Sequence, residues 1–426
     1  MSCADDRIRR RDLLVAVLAL WLGTIAPAQS ETPATSGRIF SAEGLARVSD
    51  YIRNEIASAK IPGAILLIQQ HGKPVYFESF GVRDVATRLP MTPGTIFRLY
   101  SMSKPVTSVA IMMLVEEGKV RLDDPVSKFI PAFAEMKVGV EKPGADGKPE
   151  LGLEPLVRPV TILDLLRHTA GIPYGFYGST LVRKLYADAG LFDVDATNEE
   201  FIDRLTKLPL AEQPGTLWTY GYATDVLGRV IEIVSGETLF AFEKERLFDP
   251  LGMSETAYFV AEESKRPRIA EPMPTDRAIS PTSRLRDPMV RRRIESGGAG
   301  LVGTIGDYAR FMQMLLNGGT LDGRRYLKPE TIALMASDHL GPEIVRGYAY
   351  YPGGTSGFGL GFAVRTSVPP NTNWPLGEYR WDGVGGTFFF IDPADDMFAI
   401  FMVQTPSQRG RIQQELKTLI YRAMGR

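Results

Sequence analysis

The sequence predicts an α/β protein of the α+β type, in which an antiparallel sheet formed by both chain ends is flanked by helices and carries an inserted, mostly helical domain. Three observations support this fold class. β-like runs lie near both ends of the chain, GAILLIQQ and PVYFESFGV at the start and GLGFAVRT, GTFFFIDP and MFAIFMVQ at the end. Turn residues at His71-Gly72 and at Asp392-Pro393 separate neighbouring runs. The apolar residues between the two groups follow mostly helical spacing.

The first residues have the pattern of an export signal. A basic segment from Arg7 to Arg11 precedes an apolar run from Leu13 to Leu22, and the small-residue site Ala26-Pro27-Ala28 follows. This pattern predicts a secretory signal peptide over residues 1–28 and a periplasmic or secreted protein. Arg10-Arg11 also fits a twin-arginine signal, so that route and the ordinary Sec route both stay open. The apolar run is too short to span a bilayer, and we expect no membrane contact after cleavage.

The rest of the chain divides into a linker and two domains. Residues 29–37, QSETPATSG, have the composition of a flexible linker. Residues 38–115 and 290–426 hold the predicted strands and form the α/β domain. Residues 116–289 form the mostly helical domain, which includes a long loop over residues 133–159.

Composition and charge exclude some classes of function. The chain has 426 residues, is 44% hydrophobic and 23% charged, and carries a formal net charge of −1. No strong field therefore favours nucleic acid or an anionic membrane as a partner. The three histidines, His71, His168 and His339, match no common metal-ligand spacing. We expect no metal and no cofactor, and the sequence indicates no oligomeric state.

The stretch FRLYSMSKPVTSVA places Ser101 and Lys104 three residues apart at the start of a helix predicted to run to about Glu117. Residues i and i+3 lie on one helix face, so the two side chains could meet. Pro105 fits only near a helix start, where free N–H groups favour developing negative charge. A serine hydroxyl needs a base, and a lysine whose pKa is lowered by burial could be that base. The alternative is a capped helix with a solvated lysine.

This stretch resembles the Ser-x-x-Lys motif of serine β-lactamases, penicillin-binding proteins and their esterase relatives. Further segments resemble the class C β-lactamase-like pattern in the same order, from about Ile61 to Gln404. They include GKVRLDDPVSKFIPAF, VTILDLLRHTAGI, PGTLWTYGYATDVLGRVIEIVSGE, LFDPLGMSETAYF and SGGAGLVGTIGDYARFMQMLLNGG. The resemblance implies a serine β-lactamase or penicillin-binding-protein-like fold.

The second motif of that family is Tyr-x-Asn, and two tyrosines compete for its first position. Pro214, Gly215, Trp218 and Tyr220 fit the family frame without a gap, so the resemblance assigns Tyr220 as the proton-transfer residue. Tyr222 then stands at the Asn position, and we interpret it as an aromatic wall of the substrate cleft. Transfer by a phenol needs a lowered pKa, and we expect Lys104 to lower it.

The third motif, Lys-Thr-Gly in the lactamases, corresponds to Trp381-Asp382-Gly383. It matches the Trp-x-Gly of the family VIII carboxylesterases and implies substrate contacts by Trp381 and Gly383. A tryptophan cannot bind a substrate carboxylate as lysine does, which favours neutral esters, although Arg380 could supply the charge instead. By resemblance, the backbone N–H groups of Ser101 and Val384 form the oxyanion hole.

These observations and the resemblance predict a serine carboxylic ester hydrolase that acts on small-molecule, short-chain esters through an acyl-enzyme, with Ser101, Lys104 and Tyr220 as catalytic residues. Weak β-lactam hydrolysis stays open as a side activity. A β-lactamase, a D-amino-acid peptidase or an acyltransferase on the same scaffold remains an alternative, as does a non-catalytic muropeptide-binding protein. We interpret His168 as structural, and the glycine-rich stretch 295–301 as a packed turn near the cleft.

Overall fold

The computed structural model describes residues 38–192, 195–276, 278, 287–347 and 349–425. The described residues belong to one compact unit, Thr35–Arg426. The predicted signal peptide and the predicted linker, residues 1–37, lie outside the described residues, and the boundary between the two predicted domains stays a prediction.

The strands come in two groups along the chain. In order they are β1 (Gly63–Gln70), β2 (Lys73–Gly81), β3 (Phe97–Arg98), β4 (Lys137–Pro143), β5 (Pro149–Pro155), β6 (Val302–Gly303), β7 (Thr320–Leu321), β8 (Arg324–Arg325), β9 (Ser356–Phe358), β10 (Ala363–Arg365), β11 (Tyr379–Asp382), β12 (Phe388–Asp392) and β13 (Met397–Val403). The helices are α1 (Ala42–Ala57), α2 (Ser103–Glu116), α3 (Ile162–Leu166), α4 (Leu181–Asp188), α5 (Asn198–Leu205), α6 (Ala223–Ser235), α7 (Leu239–Glu243), α8 (Asp249–Leu251), α9 (Ile305–Leu316), α10 (Pro329–Met335) and α11 (Arg409–Ala423).

A seven-stranded antiparallel sheet joins the two ends of the chain, as predicted. Its order is β2-β1-β13-β12-β11-β10-β9, so strands from the start and the end pair directly, with Leu67 opposite Ile400. Successive side chains of a strand point to opposite faces. Phe390 accordingly packs under α1 and α11, whereas its neighbour Phe389 belongs to the larger core shared with α2 and α9. The predicted fold class is confirmed.

Helix α2 runs through the middle of the larger core. Every residue from Ser103 to Leu114 is buried, which agrees with its nearly continuous apolar sequence. The helix begins two residues later than predicted, because a 3₁₀ turn over Tyr100–Met102 precedes it. Ser101 therefore lies in this turn, directly before α2. Pro105 is in the first turn of α2, where its missing N–H has no helical partner to lose.

One local prediction is wrong. Residues 133–159 were expected to be a long loop, but they contain the antiparallel hairpin β4–β5. The glycines and prolines that suggested a loop lie where a hairpin tolerates them. Pro143 and Pro149 face each other at the end of the ladder next to the turn, so no hydrogen bond inside the ladder is lost. Gly147 adopts a positive φ of 80° in the turn itself.

Among the described ranges, no helix is both long and apolar enough to cross a membrane.

Candidate active site

Ser101 lies at the junction between strand β3 and helix α2, at the edge of a cavity. The residue before it, Tyr100, has a left-handed backbone with φ of 48°. Gly383 packs against the backbone just before Tyr100, since a Cβ on Gly383 would lie 2.4 Å from the carbonyl oxygen of Leu99. A non-glycine residue with positive φ is uncommon and costs backbone strain. The turn that carries Ser101 is thus held in an unusual conformation by close backbone packing.

Lys104 is buried and meets Ser101 directly. Its side chain is 1% exposed, and its Nζ lies 3.3 Å from Ser101 Oγ, 3.1 Å from Tyr174 OH and 2.7 Å from the carbonyl oxygen of Gly298. Burial lowers the pKa of Lys104 to about 8, although the carboxylates of Asp225 and Asp382 oppose the change. A sizeable fraction of Lys104 is therefore neutral near pH 8 and able to accept a proton.

Tyr220 packs against the same lysine. The centroid of its ring lies 4.7 Å from Lys104 Nζ. The ring stands edge-on to Trp381, with centroids 5.5 Å apart. Burial raises the pKa of Tyr220, and a hydrogen bond with Ser101 offsets this only in part. The expectation that Lys104 would lower the pKa of Tyr220 is therefore wrong. Tyr220 is a neutral phenol in the resting site, and Lys104 is the stronger candidate for the base.

Tyr222 occupies a different environment two residues later. It is 4% exposed and precedes α6, and its ring contacts those of Tyr174 and Phe192 at centroid distances of 4.6 and 5.0 Å. The structure thus places Tyr220 beside Lys104 and Tyr222 in an aromatic wall. His168 is buried behind Tyr220, with ring centroids 4.9 Å apart, a position that suits packing.

The end of strand β11 closes the other side of the site. Trp381 is 3% exposed and faces Tyr220, while Asp382 and Val384 line the cavity together with Ser101. Gly383 sits between them and donates its N–H to the carbonyl of Thr387 at 2.8 Å. Burial raises the pKa of Asp382 to about 7, which the positive charges of Arg409 and Lys104 oppose. The predicted oxyanion residue Val384 is thus near Ser101, and its role stays a prediction.

Arg380 does not reach this site. Its guanidinium donates to Ser356 Oγ at 3.1 Å and to the carbonyl oxygen of Pro352 at 2.8 Å, on the face of the sheet that packs under α11. The suggestion that Arg380 replaces the carboxylate-binding lysine is therefore wrong. A different cation, Arg409 at the start of α11, lines the cavity and lies over the ring of Tyr351 at 5.8 Å.

Three further residues of the site were not singled out in the sequence. The hydroxyl of Tyr174 and the carbonyl oxygen of Gly298 both accept from Lys104 Nζ, and Asp225 holds Gly298 in place by accepting from its N–H at 3.2 Å. The glycine-rich stretch was the available signal: a Cβ on Gly298 would lie 2.6 Å from Asp225 Oδ2. The stretch 295–301 is thus a packed turn, as predicted.

The cavity in front of Ser101, called the catalytic cavity below, has a volume of about 530 Å³. Nine of its nineteen lining residues are aromatic. The lining consists of Tyr100, Ser101, Tyr174, Gly175, Phe176, Tyr177, Tyr186, Ala187, Gly190, Leu191, Phe192, Tyr220, Tyr222, Ala278, Ala299, Tyr351, Asp382, Val384 and Arg409. Within the described part of the chain, no group of three or more His, Cys, Asp or Glu side chains is arranged to hold a metal ion.

Comparison with known proteins agrees with this geometry. The model of the beta-lactamase family matches residues 48–421. The chain belongs to the beta-lactamase family. That assignment confirms the predicted resemblance and fold.

Individual relatives indicate which kind of enzyme the chain resembles. The chain is 29% identical over 388 residues to the esterase EstB of Burkholderia gladioli, covering 84% of this chain and 90% of the relative. It is 30% identical over 375 residues to the lovastatin esterase of Penicillium rubens, with coverage of 82% and 90%. Among solved structures, EstCE1, described as a hydrolase with promiscuous acyltransferase activity, superposes with a TM-score of 0.73 at 27% identity, covering 90% and 98%. The protein is an esterase-like serine hydrolase of the beta-lactamase family, as predicted.

Proposed function

We propose that this protein hydrolyses uncharged carboxylic esters with short acyl chains through an acyl-enzyme on Ser101. The observation that carries the proposal is the buried Lys104, whose Nζ lies 3.3 Å from Ser101 Oγ. A lysine held out of water beside a serine hydroxyl has one evident chemical use, which is to remove the hydroxyl proton.

In the first step, Lys104 in its neutral form accepts the proton of Ser101 as the serine oxygen attacks the ester carbonyl. The C–O bond to the alcohol then breaks, and the alcohol leaves with a proton. The neutral phenol of Tyr220, packed over Lys104, is the proposed relay that donates this proton and regains one from the protonated lysine. In the second step, water attacks the acyl-serine with the same groups in reverse order, which releases the acid.

The negative charge of each tetrahedral intermediate needs hydrogen-bond donors. The backbone N–H groups of Ser101 and Val384 are the proposed pair. Two facts support them: both residues line the catalytic cavity, and Gly383 packs against the backbone next to Ser101. Donors fixed by such packing lose little energy to reorganisation as charge develops.

The lining of the catalytic cavity supports a neutral ester as the substrate. Nine of its nineteen residues are aromatic, and the resemblance places Trp381, which faces Tyr220, at the position of the carboxylate-binding lysine of the lactamases. Two relatives are named as esterases, in agreement with this substrate class. A β-lactam is the second candidate, because Arg409 offers a positive charge at the edge of the cavity.

Hydrolysis of nitrophenyl esters with acyl chains of two to twelve carbons, measured beside nitrocefin, tests the proposal. We expect the highest kcat/KM for the short esters, weak or no nitrocefin turnover, and no activity of Ser101→Ala. Adding a second alcohol separates hydrolysis from acyl transfer, because an acyltransferase would form the new ester in preference to the acid. Nitrocefin turnover above that of every ester would contradict the proposed substrate class. Muropeptide binding without turnover of any ester would favour a receptor.

We also propose that the protein is exported. The proposal rests on the signal-like residues 1–28. Sequencing of the mature protein in the periplasmic fraction or culture medium should give Gln29 as the first residue; an intact amino terminus in the cytoplasm would contradict it.

A further inference from the structure

A second cavity lies on the opposite face of the sheet from Lys104, between strands β11 and β12 and helix α11. Its volume is about 270 Å³. Phe388, Phe390 and Trp374 supply an aromatic floor, and the polar lining comes from Arg380, Asp382, Gln413, Gln414 and Lys417. Asp382 and Tyr351 line both this cavity and the catalytic cavity, so the two are separated by a thin wall.

Basic side chains outnumber the carboxylates in and around this cavity by three to two, and Asp382 in the lining is one of the two carboxylates. The other is Glu378, which is fully buried: Lys417 donates to it, Arg365 lies 3.7 Å away and Arg380 lies 3.9 Å away. Its second oxygen accepts from Tyr421 OH at 3.0 Å. Burial, together with the two arginines, holds the pKa of Lys417 well below its ordinary value, and a bound anion would favour the charged form of this lysine.

The same cavity has a hydrogen-bond donor without an acceptor. Gln413 Nε2 is buried and has no hydrogen-bond partner among the residues that the structure describes. A buried donor left unpaired costs free energy, which an acceptor supplied by a ligand would recover. Gln413 belongs to the cavity lining, so that its amide is available to a molecule bound there.

The aromatic floor of the second cavity offers a surface for the apolar part of a ligand. Lys417 Nζ lies 4.3 Å from the centroid of the Trp374 ring, and the Arg365 guanidinium lies 5.1 Å from it. Cations held on an aromatic face in this way leave a surface with apolar and positively charged parts side by side. A ligand that matches both parts has a flat or aliphatic body and one anionic head.

We propose that this second cavity binds a small organic carboxylate, with the carboxylate between Arg380, Lys417 and Gln413 and the apolar body on Trp374 and Phe388. Ser101 does not line this cavity, whereas Trp381 and Asp382 do, so the second cavity adjoins the site of ester hydrolysis without containing its serine. The free acids that ester hydrolysis releases also combine a carboxylate with an apolar body. The second cavity would then be a product-binding site next to the catalytic cavity.

Calorimetric titration with benzoate, and with benzamide as its neutral counterpart, tests the proposal. We expect benzoate to bind with a Kd of about 1 mM or tighter, and benzamide to bind at least about tenfold more weakly, because a hydrogen bond to a charged group is lost. No benzoate binding up to about 10 mM, or equal binding of benzamide, would overturn the proposal.

Two variants locate the bound benzoate, and one serves as a matched control. Arg380→Gln removes a cation of the second cavity, and Gln413→Leu removes its unpaired donor with little change in shape. Both should weaken benzoate binding by about tenfold, and circular dichroism of each variant verifies the fold. Arg409→Gln removes the cation of the catalytic cavity and should leave the affinity unchanged. Loss of binding in Arg409→Gln, with retention in Gln413→Leu, would place benzoate in the catalytic cavity and refute the site. The test needs no turnover, so it stays decisive even if the proposed esterase activity is wrong.

Discussion

The dependence of esterase activity on pH follows from the state of Lys104. Because burial lowers the pKa of this lysine to about 8, its neutral form grows as pH rises through that value. At pH 7 about one tenth of the lysine is neutral, and at pH 9 about nine tenths. If neutral Lys104 is the base, kcat/KM should therefore rise roughly ninefold between these two pH values and level off above them.

The assay is hydrolysis of a short-chain nitrophenyl ester between about pH 6 and about pH 10, with the Ser101→Ala protein as the blank for spontaneous hydrolysis. Asp382 is the main complication, since its pKa is about 7 and its charge raises the pKa of Lys104. Asp382→Asn removes that charge, so its profile should lie at lower pH than that of the wild type.

Two outcomes would refute this reasoning. A fall in kcat/KM as pH rises through about 8 would mean that the protonated lysine is the active form. A continuous rise beyond about pH 10 without a plateau would instead point to Tyr220, whose pKa is raised by burial, as the group that must lose its proton.

Three further predictions concern single residues around this pair. Tyr220→Phe should lower kcat by about 10²-fold, the scale of losing a positioned proton-transfer group, whereas Tyr222→Phe should lower it much less; the reverse order would reassign the relay. Asp225→Asn should move the rise in kcat/KM to lower pH, because it removes a carboxylate that raises the pKa of Lys104; an unchanged or higher midpoint would exclude that coupling. Gly383→Ala should cost about 1–3 kcal/mol in the free energy of unfolding, since the added Cβ would lie 2.4 Å from a backbone carbonyl oxygen; denaturant unfolding that matches the wild type would contradict the packing.

The sequence predicts the parts of this molecule that depend on short-range patterns. The strands at both ends are visible because β-branched and aromatic residues alternate or run together between turn residues, and β1, β12 and β13 follow those runs. The contact between Ser101 and Lys104 can be predicted because side chains three residues apart lie on one face of a helical turn. Helix α2 is visible because its apolar run has no polar face.

The missed features depend on contacts between distant parts of the chain. Gly298 accepts from Lys104 although 194 residues separate them, and no local pattern marks that contact. The sequence predicts a lowered pKa for Tyr220, but burial, which depends on residues from distant parts of the chain, raises it. The prolines and glycines around the β4–β5 hairpin are typical of loops, so the sequence predicts a loop there. Only the pairing of β4 with β5 shows that they lie at the end of the ladder and in the turn.

The central claim is that Ser101 forms a covalent acyl-enzyme, and a trapping experiment tests it most directly. The protein is treated with a nitrophenyl phosphonate and digested, and peptide fragmentation assigns the adduct. Ser103, two residues later, is the internal control: it is fully buried and its hydroxyl accepts from the N–H of Leu301 at 3.0 Å. The account predicts one adduct, on Ser101, formed in step with the loss of esterase activity. An adduct on Ser103 or on any other serine, or full inactivation with Ser101 unmodified, would contradict it.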